Sequence, residues 1–225
     1  MKKFALIVGG GQGLRFGGDI PKQFQLLNNR PVLFRSVDLF LDAADQIVLV
    51  IPRNQFDYFH SLRATHPINM DESRFKLVAG GESRTESVRN GLSALSGQGV
   101  VAIHDAVRPL SSEKLISTLF SECISHGSAI PVVAVKDSLR QKMNDTTRSV
   151  NREEFVCVQT PQCFDLAALK DAYSKHPEGS FSDDASLLEY CGKRIHTVEG
   201  EQSNIKITWP EDLLFAEAIL NTRIS

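Results

Sequence analysis

Three groups of residues have the types and spacing to act on phosphate. The first is Gly9-Gly10-Gly11-x-Gly13-x-Arg15, with Pro21-Lys22 seven residues later. Backbone N–H groups in such a loop can form a nest for phosphate oxygens, and Arg15 and Lys22 would add full charges at its mouth. The plainer reading is a glycine-rich turn beside two solvated bases. The second group is the run HDAVRP, which ends an apolar segment on Asp105. An acid beside a polyphosphate raises repulsion unless a cation intervenes, and Mg²⁺ held by phosphates plus one carboxylate fits. A structural Asp105–Arg108 pair closing the turn before Pro109 fits equally well. The third is SNIKIT, whose alternation sets Lys206 on the strand face opposite Ile205 and Ile207. There Lys206 is either a surface residue or a cation reaching over the sheet edge.

Two familiar glycine fingerprints fail. For G-x-G-x-x-G the third position is Leu14 counted from Gly9 and Gly11, and Phe16 counted from Gly11 and Gly13. For the P-loop, Asp19 follows Gly18 where lysine is required. A nicotinamide-dependent oxidoreductase is disfavoured accordingly.

The elements that must position these groups alternate along the chain. Apolar runs predict strands at 4–8, 46–51, 75–79, 100–104 and 128–135, and amphipathic stretches predict helices at 32–43, 55–64, 84–95 and 113–125. Ser83 and Glu86 form a capping-box pattern, and Thr208 and Glu211 around Pro210 open a helix over 211–220. In FSDDASLLEY, Ser182 is the expected N-cap, an anion-compatible terminus. Strands apolar on both faces imply an α/β, doubly wound, mostly parallel sheet covered by helices, with ligands at its carboxyl edge. The rhythm breaks over 136–158, where a polar stretch with a turn at Asn144-Asp145 predicts a hairpin of 138–143 with 149–151. A polar arm with little to bury needs something to pack on, and a second subunit is the simplest candidate.

Length and composition set the remaining bounds. A chain of 225 residues is expected to form one domain, with that arm projecting. With 25 basic and 27 acidic residues no basic surplus exists, which argues against nucleic acid as a partner. No run approaches 18 apolar residues, and only two lysines and a short strand stand at the amino end, so neither a membrane span nor a signal peptide is expected. Cys123, Cys157, Cys163 and Cys191 form no C-x-x-C pair and are expected as free thiols in the cytoplasm.

Taken together, GGGxGxR, PKQF, GGxxRxxSVxxGL, HDAVRP, NR…QTPQ, DDASLLE and SNIKIT resemble the 2-C-methyl-D-erythritol 4-phosphate cytidylyltransferases of the non-mevalonate isoprenoid pathway. The likeness runs in order from about residue 4 to 220. It implies a Rossmann-like nucleotidyltransferase sheet, a homodimer, a Mg²⁺ requirement, and transfer of CMP from CTP to the polyol phosphate with release of pyrophosphate. Related pentitol-phosphate enzymes share several motifs, so ribitol 5-phosphate or another sugar phosphate stays open as the acceptor, as does a nucleotide-binding regulator without turnover. The resemblance assigns Arg15, Lys22 and Lys206 to the reacting phosphorus. It gives the acceptor to Asp105, Arg108, Ser138, Arg152 and Ser182, and the nucleotide to Gly9, Gly10, Gly11, Gly13, Gly81, Glu82 and Ser87. Gly9 and Gly10 stand where alanine is common, Glu82 where aspartate is, and Ser138 and Ser182 where threonine is frequent.

Overall fold

The computed structural model describes residues 1–10, 16, 20–176 and 181–224. Strand β1 (Lys2–Val8) is followed by the short pair β2 (Leu26–Leu27) and β3 (Arg30–Pro31), α1 (Val32–Asp38), β4 (Gln46–Ile51), α2 (Phe56–Thr65), β5 (Phe75–Ala79) and α3 (Arg84–Ser93). Next come β6 (Gly99–Asp105), α4 (Glu113–His126), β7 (Ser128–Ala134), β8 (Arg140–Met143), β9 (Thr146–Ser149), β10 (Val156–Val158) and β11 (Gln162–Asp165). The chain ends with α5 (Leu166–Lys175), α6 (Asp184–Tyr190), β12 (Thr197–Glu199) and α7 (Glu211–Ile224). None of these helices is long and apolar enough to cross a membrane.

The main sheet has the order β10-β7-β11-β6-β1-β4-β5, with β12 paired to β7. Strands β1, β4, β5 and β6 are mutually parallel, whereas β11 runs antiparallel between β6 and β7. The period of two explains the unbroken apolar runs within β1, β4 and β6. In β1, Ala5 and Ile7 enter a core beneath α1, α2 and α4, while Phe4, Leu6 and Val8 enter a second core under α3, α5 and α6. Both faces are buried, as a parallel sheet requires. Close helix packing is needed in the second core: a Cβ on Gly91 of α3 would lie 2.6 Å from Leu6 Cδ1 and 2.8 Å from Val50 Cγ2. A third cluster seats Ala216 of α7 against Val107, Leu110 and Ile207 and so fixes the approach to residue 206.

Several boundaries differ from expectation. Helix α1 stops at Asp38, where Phe40 N–H turns back to Val37 O. The hairpin pairs Met143 with Thr146, so Asn144-Asp145 forms a two-residue loop and the return strand is Thr146–Ser149 rather than 149–151. The N-cap of α6 is Asp183, not Ser182: its carboxylate accepts from Ser186 N–H, and Ser186 Oγ accepts in return from Asp183 N–H. Ser83 caps α3, but the Glu86 carboxylate turns back to Glu82 N–H. At α7, Asp212 rather than Glu211 accepts from the N–H groups of Thr208 and Trp209. SNIKIT forms no strand, yet its alternation survives, with Ile205 and Ile207 packing toward α7 and Lys206 facing Asp105.

Candidate active site

Among the described residues, a cleft of about 1080 Å³ opens at the carboxyl ends of the parallel strands. Its walls are Val8–Gly10 after β1, Pro52–Gln55 after β4, Gly80–Arg84 after β5 and Asp105 at the end of β6. Lys22, Lys206 and Thr208 come from flanking loops. This is where open α/β sheets place ligands, because loops diverge there and leave backbone groups facing solvent.

Charge in the cleft centres on Asp105. Lys206 Nζ lies 2.9 Å and Arg108 Nε 3.3 Å from the same oxygen, Asp105 Oδ2. Burial alone would raise this carboxyl, but Lys206, Arg84 and Arg108 outweigh burial and hold it well below the ordinary carboxylate range. Lys22 Nζ donates to Ile207 O at 3.0 Å, so the second lysine is anchored one residue from Lys206. Arg84 pairs at 2.6 Å with Asp184, which is fully buried and also accepts from Tyr173 OH.

A buried relay sets the position of Asp105. His104 lies between Thr160 Oγ1, 3.2 Å from Nδ1, and Arg108 O, 3.0 Å from Nε2. A carbonyl can only accept, so Nε2 carries the proton and Nδ1 accepts from the Thr160 hydroxyl. Thr160 Oγ1 in turn accepts from Asp105 N–H at 3.0 Å. Every group in the chain is satisfied with a neutral ring, and burial pushes the His104 pKa from 6.5 down to about 4. Asn204 ties the loop bearing Lys206 to the same segment, its Nδ2 donating to Thr160 O and its backbone carbonyl accepting from Arg108.

Between pH 6.5 and about 4 the unfolded chain binds a proton that the folded chain refuses. Stability therefore falls as pH is lowered through that window, by about 1.4 kcal/mol per unit for this one group. Asp105 adds its own loss only below its ordinary value of 3.8. Denaturant melts should show a shallower acid slope for His104→Gln than for the parent chain, and equal slopes would exclude His104 as the titrating group.

The wall formed by the loops after β1 and β5 is tightly built. Ser87 Oγ accepts from Gly81 N–H at 3.1 Å, and a Cβ on Gly10 would lie 2.9 Å from that oxygen. Gln23, also buried, donates to Gly9 O and to Gln55 Oε1 and so joins the loop after β1 to the one after β4.

Of the residues singled out in the sequence, Gly9, Gly10, Lys22, Gly81, Glu82, Asp105 and Lys206 line the cleft, with Ser87 behind the wall. Gly11, Gly13 and Arg15 lie outside the described residues. Arg108 does not line the cleft; its guanidinium is turned inward to Asp105 and Asn204 O. Ser138 and Arg152 sit on the exposed arm, with Arg152 Nη1 donating to Lys136 O, and Ser182 is exposed ahead of α6. Arg84, His104, Thr160 and Asn204 were assigned no role from sequence. All four nevertheless fall within the runs GGESRTES, HDAVRP, QTPQ and SNIKIT.

Two lysines from separate loops, converging over a carboxylate at a nucleotide-sized cleft, suit the meeting of two phosphate-bearing reactants, the task of a nucleotidyltransferase. Residues 4–222 match the family model described as IspD, 2-C-methyl-D-erythritol 4-phosphate cytidylyltransferase. The chain belongs to that family. It is 42% identical to the 2-C-methyl-D-erythritol 4-phosphate cytidylyltransferase of Bacteroides fragilis, over 98% of this chain and 100% of the relative. Identity to the Bacteroides thetaiotaomicron protein of the same name is 41%, over 98% of this chain and 100% of that protein. Among solved structures it resembles 4-diphosphocytidyl-2C-methyl-D-erythritol synthase from Anaerococcus prevotii, with a TM-score of 0.83, 30% identity, and 98% and 96% of the two chains covered. The Thermus thermophilus cytidylyltransferase gives a TM-score of 0.78 at 31% identity, covering 98% of this chain and all of that one.

Proposed function

We propose that the cleft transfers the cytidylyl group of CTP to 2-C-methyl-D-erythritol 4-phosphate. An oxygen of the acceptor phosphate attacks the α-phosphorus in line, the bond to the β-phosphate oxygen breaks, and pyrophosphate leaves. The observation that carries this reading, beyond family membership, is the convergence of Lys22 and Lys206 beside Asp105. Both lysines line the cleft, where their ammonium groups can meet phosphoryl oxygens. There both oppose the charge that grows on the equatorial oxygens, and catalysis is mainly positioning and electrostatic stabilisation. Gly9, Gly10, Gly81, Glu82 and Ser87 form the wall against which cytosine and ribose lie; by the family resemblance Gly11 and Gly13 also serve the nucleotide and Arg15 the reacting phosphorus.

Mg²⁺ suits the donor set, since Asp105 offers a hard carboxylate oxygen at the cleft while Lys206 and Arg108 share its other oxygen. Bound there with CTP, it would offset triphosphate charge and orient the leaving group. When Lys206 turns from Asp105 to a phosphate, Arg108 still compensates the carboxylate. The working unit in this reading is a cytoplasmic homodimer, a compartment that suits four thiols free of disulfides. Strands β8 and β9 are exposed along their whole length, and the arm carries Ser138 and Arg152 to the partner's acceptor site. Ser182, ahead of α6, completes the acceptor contacts.

Pyrophosphate release measured across nucleotides and acceptors tests this assignment. Turnover is expected with CTP and methylerythritol phosphate, with UTP the nearest competitor and ATP and GTP far behind. Faster turnover on ribitol 5-phosphate would reassign the acceptor, and binding without turnover would make the chain a regulator.

A further inference from the structure

Far from the cleft, the end of α4 and the residue before β12 bring Glu122, His126 and His196 together. Glu122 Oε2 lies 3.3 Å from His126 Nε2 and 3.1 Å from His196 Nε2, and the three donor atoms all fall within 4.8 Å of one another. The two rings stack with centroids 4.0 Å apart and 16° between planes, with both Nε2 atoms at the same carboxylate oxygen, and a turn of one exposed ring lets both lone pairs converge on one ion. We infer that these three residues form a binding site for a divalent transition metal of the Zn²⁺ type.

The geometry suits such an ion. Four ligands at about 2.0–2.1 Å in a tetrahedron stand about 3.3 Å apart, close to the two nitrogen–oxygen separations here. A surface ion pair would need only one imidazole, whereas two bracket the same carboxylate oxygen. Two neutral nitrogens and one anionic oxygen favour zinc and its neighbours over Mg²⁺, which prefers oxygen ligands. Three protein ligands leave a fourth position for water.

The scaffold is set before any ion arrives. Glu122 and His126 are four residues apart on one helix face, and His126 lies in the last turn, where the carbonyl end of the helix favours a cation. Gly127, left-handed at φ 82°, ends the helix there, and its N–H donates to Cys123 O. His196 is held by its backbone on both sides: its N–H donates to Ser128 Oγ at 3.2 Å, and its carbonyl accepts from Ile130 N–H at 2.9 Å. The side chains remain partly open to solvent, with 48% of His126 and 35% of His196 exposed, so an ion can enter.

The cluster lies across the sheet from the proposed chemistry. Phe164 of β11 pairs with both Val101 and Ser128, which sets the start of β7 level with the early part of β6, whereas Asp105 ends β6 at the opposite edge. An ion here would clip α4 to β12 without touching the reactants. Its role is structural and independent of any Mg²⁺ bound with CTP.

The test is Zn²⁺ titration of the full chain, free of any polyhistidine tag, against a chromophoric chelator. Cys157→Ser serves as background because that thiol is exposed. One ion per chain is expected, with a rise in Tm and with pyrophosphate-release activity unchanged in His126→Ala and His196→Ala. Each of those variants, and Glu122→Gln, should weaken binding by at least about 10-fold, while His60→Ala should not. Affinity equal to the parent in both histidine variants would overturn the site, as would no uptake at micromolar Zn²⁺. Should a variant fail to fold, anomalous diffraction at the zinc edge from parent crystals decides: density between the two imidazoles supports the site, and density only elsewhere removes it.

Discussion

Lys22→Ala lowers kcat by about 10²–10³-fold while the KM for CTP changes far less. The asymmetry follows from where charge develops. The ground-state triphosphate is met by several groups along the cleft, but the α-phosphoryl oxygens gain charge only toward the transition state, so a lysine serving them is lost mainly from kcat. Lys22 is set for that role by its bond to Ile207 O, which places its ammonium beside the loop carrying Lys206. Lys206→Ala should cost turnover as well, but it also strips a partner from the buried Asp105 carboxylate and should lower Tm. The two variants are therefore separable by melting temperature. A Lys22→Ala enzyme with near-normal kcat and only a raised KM would show that this lysine binds substrate uniformly.

Mixing two inactive enzymes should restore activity if the arm serves its partner. In a heterodimer of Arg152→Ala with Lys22→Ala, a trans arrangement yields one site with both residues intact and one with neither. A cis arrangement leaves one defect in every site. Recovery of up to about half the parent turnover per dimer is expected, since single-residue losses of this kind are each near 10²-fold or more. The structural basis is that Arg152 is exposed and absent from its own subunit's cleft lining. Subunit exchange is verified by native mass first, and a confirmed heterodimer without recovered turnover would refute transfer across the interface.

The sheet was legible because β1, β4 and β6 carry unbroken apolar runs, Phe4 to Val8, Ile47 to Ile51 and Val100 to Ile103, and only burial on two faces explains that. Strand β11 was not, since its four residues begin on Gln162, end on Asp165 and carry no such run. Its placement depends on pairing with β6 and β7 and on the bond from Gln162 to Asp183, which only tertiary structure creates. The same contrast holds in the site. Lys22, Asp105 and Lys206 could be picked out because charge beside glycine or at a strand end is locally conspicuous. Arg84, His104 and Thr160 were missed because their roles lie in partners 100, 56 and 55 residues away. Arg108 illustrates the reverse error of emphasis: its basic side chain suggests a ligand contact, yet it spends its donors within the protein.

Among the described residues strand β10 is paired along one edge only, to β7, and shows Val156 and Val158 to solvent at 54% and 40% exposure. An apolar outermost strand is a template onto which any other chain can add, and proteins ordinarily blunt such edges with charge, proline or a covering element. Here the neighbouring Cys157 and Phe155 do not blunt it. Substitutions that shorten or loosen the adjoining arm should therefore be met first as poor solubility and aggregation during expression, before any defect in turnover can be measured.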